Sequence, residues 1–128
     1  MPSELAATSR PQGRLFIEGY GEGGFRIGGQ RRQGSQIILP AAVQDWPVAA
    51  LSGLALEAFV PLFEHAGALD ILLLGCGTLP VLPDRALQAA LKDKGLRLDM
   101  MTTPAACRTY NILLAEDRRV AAALIAVA

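Results

Sequence analysis

The sequence predicts an α/β fold, a sheet with helices packed on it, preceded by a short antiparallel β element. Three observations carry this. The second half alternates strand-like and helix-like segments, at 69–74, 84–94, 96–100, from 103, and 118–127, an order that builds a sheet covered by helices. The run LDILLL at 69–74 is apolar on nearly every residue, as a strand buried on both faces must be. The first half holds short apolar runs separated by glycines, the pattern of antiparallel pairs.

Bulk composition bounds the answer. The 128 residues suit one domain with one core, and 52% hydrophobic against 19% charged residues gives a packed globule. Lysine plus arginine balance aspartate plus glutamate at 12 each, so the chain lacks the basic footprint of a nucleic-acid binder. A neutral surface is weakly kept apart by self-repulsion, which leaves a homo-oligomer open. Two cysteines, Cys76 and Cys107, make neither a disulfide scaffold nor a zinc pattern. The start MPSELAATSRPQGR has no apolar core of a secretory signal. The longest apolar run, 120–128, is far short of the ~20 residues of a membrane span. A cytoplasmic protein without a transmembrane segment is expected.

Along the chain, residues 1–13 are small, polar and proline-containing and are expected to form a flexible tail ahead of a domain over 14–128. The runs RLFIEGY at 14–20 and FRI at 25–27 flank glycines and predict two paired strands. GGQRRQG at 28–34 predicts a polar turn with Arg31 and Arg32 near its tip, and SQIIL at 35–39 a third strand stopped by Pro40. Pro47 disfavours helix at Trp46, so 44–48 should be extended. A helix is expected over 54–65, kinked or broken early at Pro61. After a loop at 75–83, Asp84 should cap a helix to Lys94 that Gly95 closes in a left-handed conformation. His65 is placed near a helix end and Glu116-Asp117-Arg118-Arg119 in a solvated turn.

The stretch MMTTPAACRTYNILL at 100–114 crowds a cysteine, an arginine, a tyrosine and an asparagine together. Its spacing is helical. Thr103 reads as the N-cap and Pro104 as the first helical residue, where a missing donor costs nothing. Ala106, Tyr110, Leu113 and Leu114 then form one apolar stripe, with Cys107 and Asn111 beside it. Two readings compete. In one, Cys107 is a small buried hydrophobe and Tyr110 a core aromatic with a bonded hydroxyl. In the other, the helix dipole and Arg108 activate the Cys107 thiol; it lacks a base, since the only histidine, His65, ends another helix. The packing reading is preferred, and no catalytic residue or metal-ligand set is assembled.

Gly75-Cys76-Gly77-Thr78 follows the strongest strand but lacks the third glycine of a dinucleotide fingerprint and the Lys-Ser/Thr of a P-loop. If the strands at 69–74 and 96–100 are parallel, this loop and the 103–108 helix start line one crevice at the carboxyl edge of the sheet. Amides of Gly77, Thr78 and the first turn, with Arg108, would then be placed to hold a small anion. The same geometry would bring Cys76 near Cys107, with no disulfide expected in a reducing compartment.

Several landmarks together resemble the MTH938-like family: Thr102-Thr103-Pro104-Ala105-Ala106-Cys107-Arg108-Thr109-Tyr110-Asn111 with Leu113, Glu116, Arg118 and the 120–124 run, Gly34-Ser35 with Leu39-Pro40, Trp46, and Gly75-Cys76-Gly77. They span about residues 15–127 in order. The family commonly has a polar residue between the two loop glycines, where this chain has Cys76. The resemblance implies a single three-layer α/β domain around a mixed, mostly parallel sheet. It implies no catalytic residue and no cofactor. The family includes a mitochondrial complex I assembly factor, so it implies protein partners, respiratory-complex subunits or assembly factors among them, reached at the periphery of the inner membrane. The expected function is a non-enzymatic protein-binding module assisting complex I assembly, with Trp46 a candidate partner anchor or, in the preferred reading of that residue, a lid on the core. The alternative is a small-molecule or anion-binding protein using Gly75, Cys76, Gly77, Thr78, Thr103, Cys107 and Arg108.

Overall fold

The computed structural model describes residues 14–79 and 81–128; the tail expected over 1–13 lies outside the described residues. Strands β1 (Ile17–Gly21), β2 (Gly24–Ile27) and β3 (Gln30–Gln33) form an antiparallel meander. Strands β4 (Gln36–Leu39), β5 (Ala42–Asp45), β6 (Ile71–Gly75), β7 (Leu98–Met101) and β8 (Val120–Leu124) form the central sheet in the order β5-β4-β8-β6-β7. Strand β6 pairs in parallel with β7 and β8, whereas β4 pairs antiparallel with β8 and β5. Only β4 therefore runs against the others, so the sheet is mixed, with four of its five strands aligned and two parallel and two antiparallel pairings.

Alternation across the strands assigns the layers. Ile37, Leu39, Leu72, Leu74, Ala121 and Ala123 face one side, where they meet a layer of helical segments carrying Phe59, Leu62, Leu87 and Leu91. Ile38, Leu73, Ala122 and Leu124 face the other, against Ile17, Phe25 and Ile27 of the meander and Ala106, Cys107 and Tyr110. Leu72, Leu73 and Leu74 are fully buried, each worth about 2 kcal/mol of transfer free energy. This is the three-layer α/β arrangement, with the sheet in the middle.

Among the described residues three α-helices close it: α1 (Val60–Phe63), α2 (Arg85–Asp93) and α3 (Thr103–Ala115). The cap expected at Asp84 is present, its carboxylate accepting from the Leu87 amide at 2.8 Å. Gly95 has φ 86°, the left-handed conformation that closes α2. The helix expected over 54–65 is instead a 3-10 turn, Leu56–Phe59, followed by α1. Pro61 falls in the first turn of α1, where an amide would be unsatisfied anyway, so the segment restarts there instead of running through.

Two further differences lie at strands. The polar turn expected over 28–34 contains β3, and Arg31 and Arg32 lie along it, not at a tip. Arg32 Nε donates to Gln36 Oε1 at 2.7 Å, and the fully buried Gln36 donates to Asp45 at 3.0 Å, so polar side chains tie β3 to β4 and β5. Pro40 does end β4, but within a two-residue hairpin to β5, which pairs Ala42 with Leu39.

Candidate functional site

The glycine loop and the start of α3 do meet, and Thr103 is the residue that joins them. The N-cap is Thr102, whose hydroxyl accepts from the Ala105 amide at 3.4 Å. Thr103, expected in that role, sits one residue inside the helix and is fully buried. Its hydroxyl accepts from the Gly77 amide at 2.9 Å and donates to the Ile125 carbonyl at 2.7 Å. Its own amide donates to the Gly77 carbonyl at 2.8 Å, and the Ile125 amide donates to the Gly75 carbonyl at 3.0 Å. The loop after β6, the start of α3 and the exit from β8 are thus stitched together. A Cβ at Gly75 would lie 3.0 Å from Thr103 Oγ1 and 2.9 Å from Leu124 Cδ2, so a larger residue would have to push these neighbours aside.

That joint occupies the expected crevice. The Gly77 amide, needed for an anion, is taken by Thr103, and the Ala105 amide by Thr102. Thr78 and Arg108 are exposed beside it, and Arg108 makes no ion pair among the described residues. Cys76 and Cys107 are both buried and free, but they do not approach each other: Cys76 belongs to the core on the α2 side of the sheet and Cys107 to the core beneath α3.

Burial pushes the Cys107 thiol up to about 12, only partly opposed by the Arg108 charge, and burial raises Cys76 as well. Both are thiols at neutral pH, not nucleophiles. His65 pairs with its neighbour Glu64 at 3.6 Å and lies in the helical layer on the other side of the sheet from Cys107. Iodoacetamide is therefore expected to leave both cysteines of the native protein unmodified over a period that alkylates the urea-unfolded chain completely, read by mass spectrometry. Fast native alkylation of Cys107 would contradict the packing described.

The polar residues of α3 instead hold the meander. Asn111 accepts from the Ile17 amide at 2.8 Å and donates to the Ile17 carbonyl at 2.7 Å, behaving as one rung of a neighbouring strand. Tyr110, 1% exposed, donates its hydroxyl to the Leu15 carbonyl at 2.9 Å. Arg14 adds a bond to the Leu114 carbonyl and an ion pair with Asp117 at 3.0 Å. Trp46, a candidate partner anchor, is 3% exposed; its Nε1 donates to the Ala58 carbonyl at 2.8 Å and its ring meets Phe59 edge-on at 5.5 Å. It serves as a core residue with a satisfied polar handle.

The loop expected over 75–83 carries apolar side chains whose exposure sequence reasoning missed: Leu79, Val81 and Leu82 are 67%, 55% and 53% exposed. Its signal was the LPVLP run itself, apolar yet interrupted by prolines. Among the described residues no three His, Cys, Asp or Glu side chains gather as metal ligands, and no helix is long and apolar enough to cross a membrane.

Fold and joint together define a small mixed α/β domain whose most specific motif ties its own layers together. The chain belongs to the DUF498/DUF598 family, described as proteins of unknown function, whose model matches residues 17–125. An uncharacterised protein of Rhodobacter capsulatus is 38% identical over 88% of this chain and 86% of its own length. NADH dehydrogenase [ubiquinone] 1 alpha subcomplex assembly factor 3 of Xenopus tropicalis is 32% identical over 87% of this chain, which spans 61% of that protein. Among solved structures, one described as an outer membrane protein from Bartonella henselae superposes with a TM-score of 0.83 at 36% identity, covering 91% of this chain and 98% of its own. A Bordetella pertussis protein described as a Mth938-like domain superposes with a TM-score of 0.73 at 25% identity, over 88% of this chain and 85% of its own. The expected MTH938-like membership and fold are thus met.

Proposed function

We propose that the chain is a non-enzymatic protein-binding module that assists assembly of respiratory complex I, acting in the cytoplasm and reaching the inner membrane through its partners. The observation that carries this reading is the 32% identity to an assembly factor over 87% of the chain. The site supports it from the other direction. Thr103, Cys107, Tyr110 and Asn111, the chemically richest residues of the motif, are committed to packing and internal hydrogen bonds, while apolar side chains at Leu79, Val81 and Leu82 face solvent. Exposed apolar surface of this kind marks sites of protein contact.

Chemical crosslinking in the native host, followed by affinity capture from membranes and mass spectrometry, tests it. Subunits of NADH dehydrogenase or of its assembly intermediates are expected among the crosslinked partners. Recovery of none of them would overturn the reading.

A further inference from the structure

Strand β7 ends the central sheet, and among the described residues no strand pairs with its outer side. The Leu72 amide donates to the Arg97 carbonyl and the Cys76 amide to the Met101 carbonyl, both at 2.8 Å. Residues 97, 99 and 101 therefore turn their backbone groups toward β6, and strand alternation turns the N–H and C=O of Leu98 and Met100 outward. The side chains of these two residues face the α2 side of the sheet, partly buried against its core. With Ala89 and Leu96 they line a groove of about 520 Å³ between α2 and β7. The charged residues lining it, Lys92 and Arg97, are both cationic, and among the described residues neither forms an ion pair. Arg97 and Arg118 continue the cationic surface into the next depression, where the carboxylate of Asp70 is already held by Arg119 at 2.8 Å.

We propose that β7 receives an extended segment of a partner protein by strand addition. The segment bonds the outward N–H and C=O groups of Leu98 and Met100, lays apolar side chains over the groove, and carries an acidic residue that meets Lys92 and Arg97. Backbone pairing supplies affinity, while the groove and its charge select the sequence. The inference rests on the binding-module reading and names its surface. A second copy of this chain fits poorly. The antiparallel register that matches Leu98 with Met100 sets Asp99 opposite Asp99, and like charges directly opposed across strands are destabilising. It would also bring two cationic rims together.

Selection of random peptides displayed on phage against the native protein tests this. Enriched peptides are expected to alternate apolar with polar residues and to include an acid. On binding, they should shift the amide resonances of Leu98 and Met100 and protect them from exchange. Met100→Pro removes one outward donor while leaving the bonds to β6 intact, a position where an edge strand tolerates proline. It should weaken the selected peptides about tenfold or more. The double variant Lys92→Glu, Arg97→Glu changes only surface charge, so it carries the test if the proline variant fails to fold. It should weaken acidic peptides and flatten their salt dependence.

Peptides without the alternating acidic pattern, or equal affinity for the charge-reversed protein, would overturn the proposal. So would sedimentation showing a wild-type dimer that Met100→Pro dissociates, since the occupant would then be a second copy. Peptides mapping to Leu79, Val81 and Leu82 would overturn the β7 site and leave the binding module standing. Peptides at β7 without crosslinked NADH dehydrogenase subunits would support strand addition and sink the assembly role.

Discussion

Thr103→Val is expected to lower the stability of the domain by about 2–5 kcal/mol, as an earlier urea midpoint at unchanged slope. Valine matches threonine in shape, so no cavity forms. What is lost is a hydroxyl bonded on both sides, which leaves the Gly77 amide and the Ile125 carbonyl without partners inside a fully buried joint. Each unsatisfied buried group costs about 1–3 kcal/mol. Thr103→Ser keeps the hydroxyl and loses only a methyl group, so it should stay within about 1 kcal/mol of the parent. Equal stability of the valine and serine variants would mean that the hydroxyl does not bridge the loop, α3 and β8.

Tyr110→Ala is expected to cost about 3–5 kcal/mol, a large share of a domain stability of about 5–15 kcal/mol. Its ring fills the core between α3, the meander and the central sheet, and its hydroxyl holds Leu15. Asn111→Ala removes the two bonds to Ile17 and should cost about 1–3 kcal/mol. The loss should be local before it is global. In hydrogen exchange by mass spectrometry, peptides over β1 to β3 of Asn111→Ala should lose protection while those over β6 and β8 keep theirs. Uniform loss across both sheets would show that Asn111 supports the whole core instead of docking the meander.

Much of this fold was legible because its signals are local. Asp84 lies three residues before the amide it caps, and Gly95 ends a helix by its own φ. The unbroken apolar run at β6 marks a strand covered on both faces. The misreadings occurred where distant partners decide. Either of two adjacent threonines satisfies a capping rule; Thr103 is set apart by Gly77 and Ile125, 26 and 22 residues away. The polarity of β3 suggested a turn, yet Arg32 is satisfied by Gln36 on the next strand. A loop or edge position left Trp46 open both to partners and to the core, and its contacts with Ala58 and Phe59 place it in the core. The spacing of the family motif predicts its helix with a packed face, but its docking of the meander through Ile17 and Leu15 spans more than ninety positions. The edge at β7 was invisible to sequence patterning, which finds strands but not which of them lacks a neighbour.

The motif residues hold the domain together, and the proposed binding role assigns partner contact to the outer surface. Complementation of a host strain lacking this protein tests this division most directly, with assembled NADH dehydrogenase read on native gels. A variant carrying Cys76→Ala, Cys107→Ala and Arg108→Ala, confirmed folded, is predicted to restore assembly as the parent does. Failure of that folded variant to restore assembly would contradict the account, because the motif's side chains would then act beyond packing.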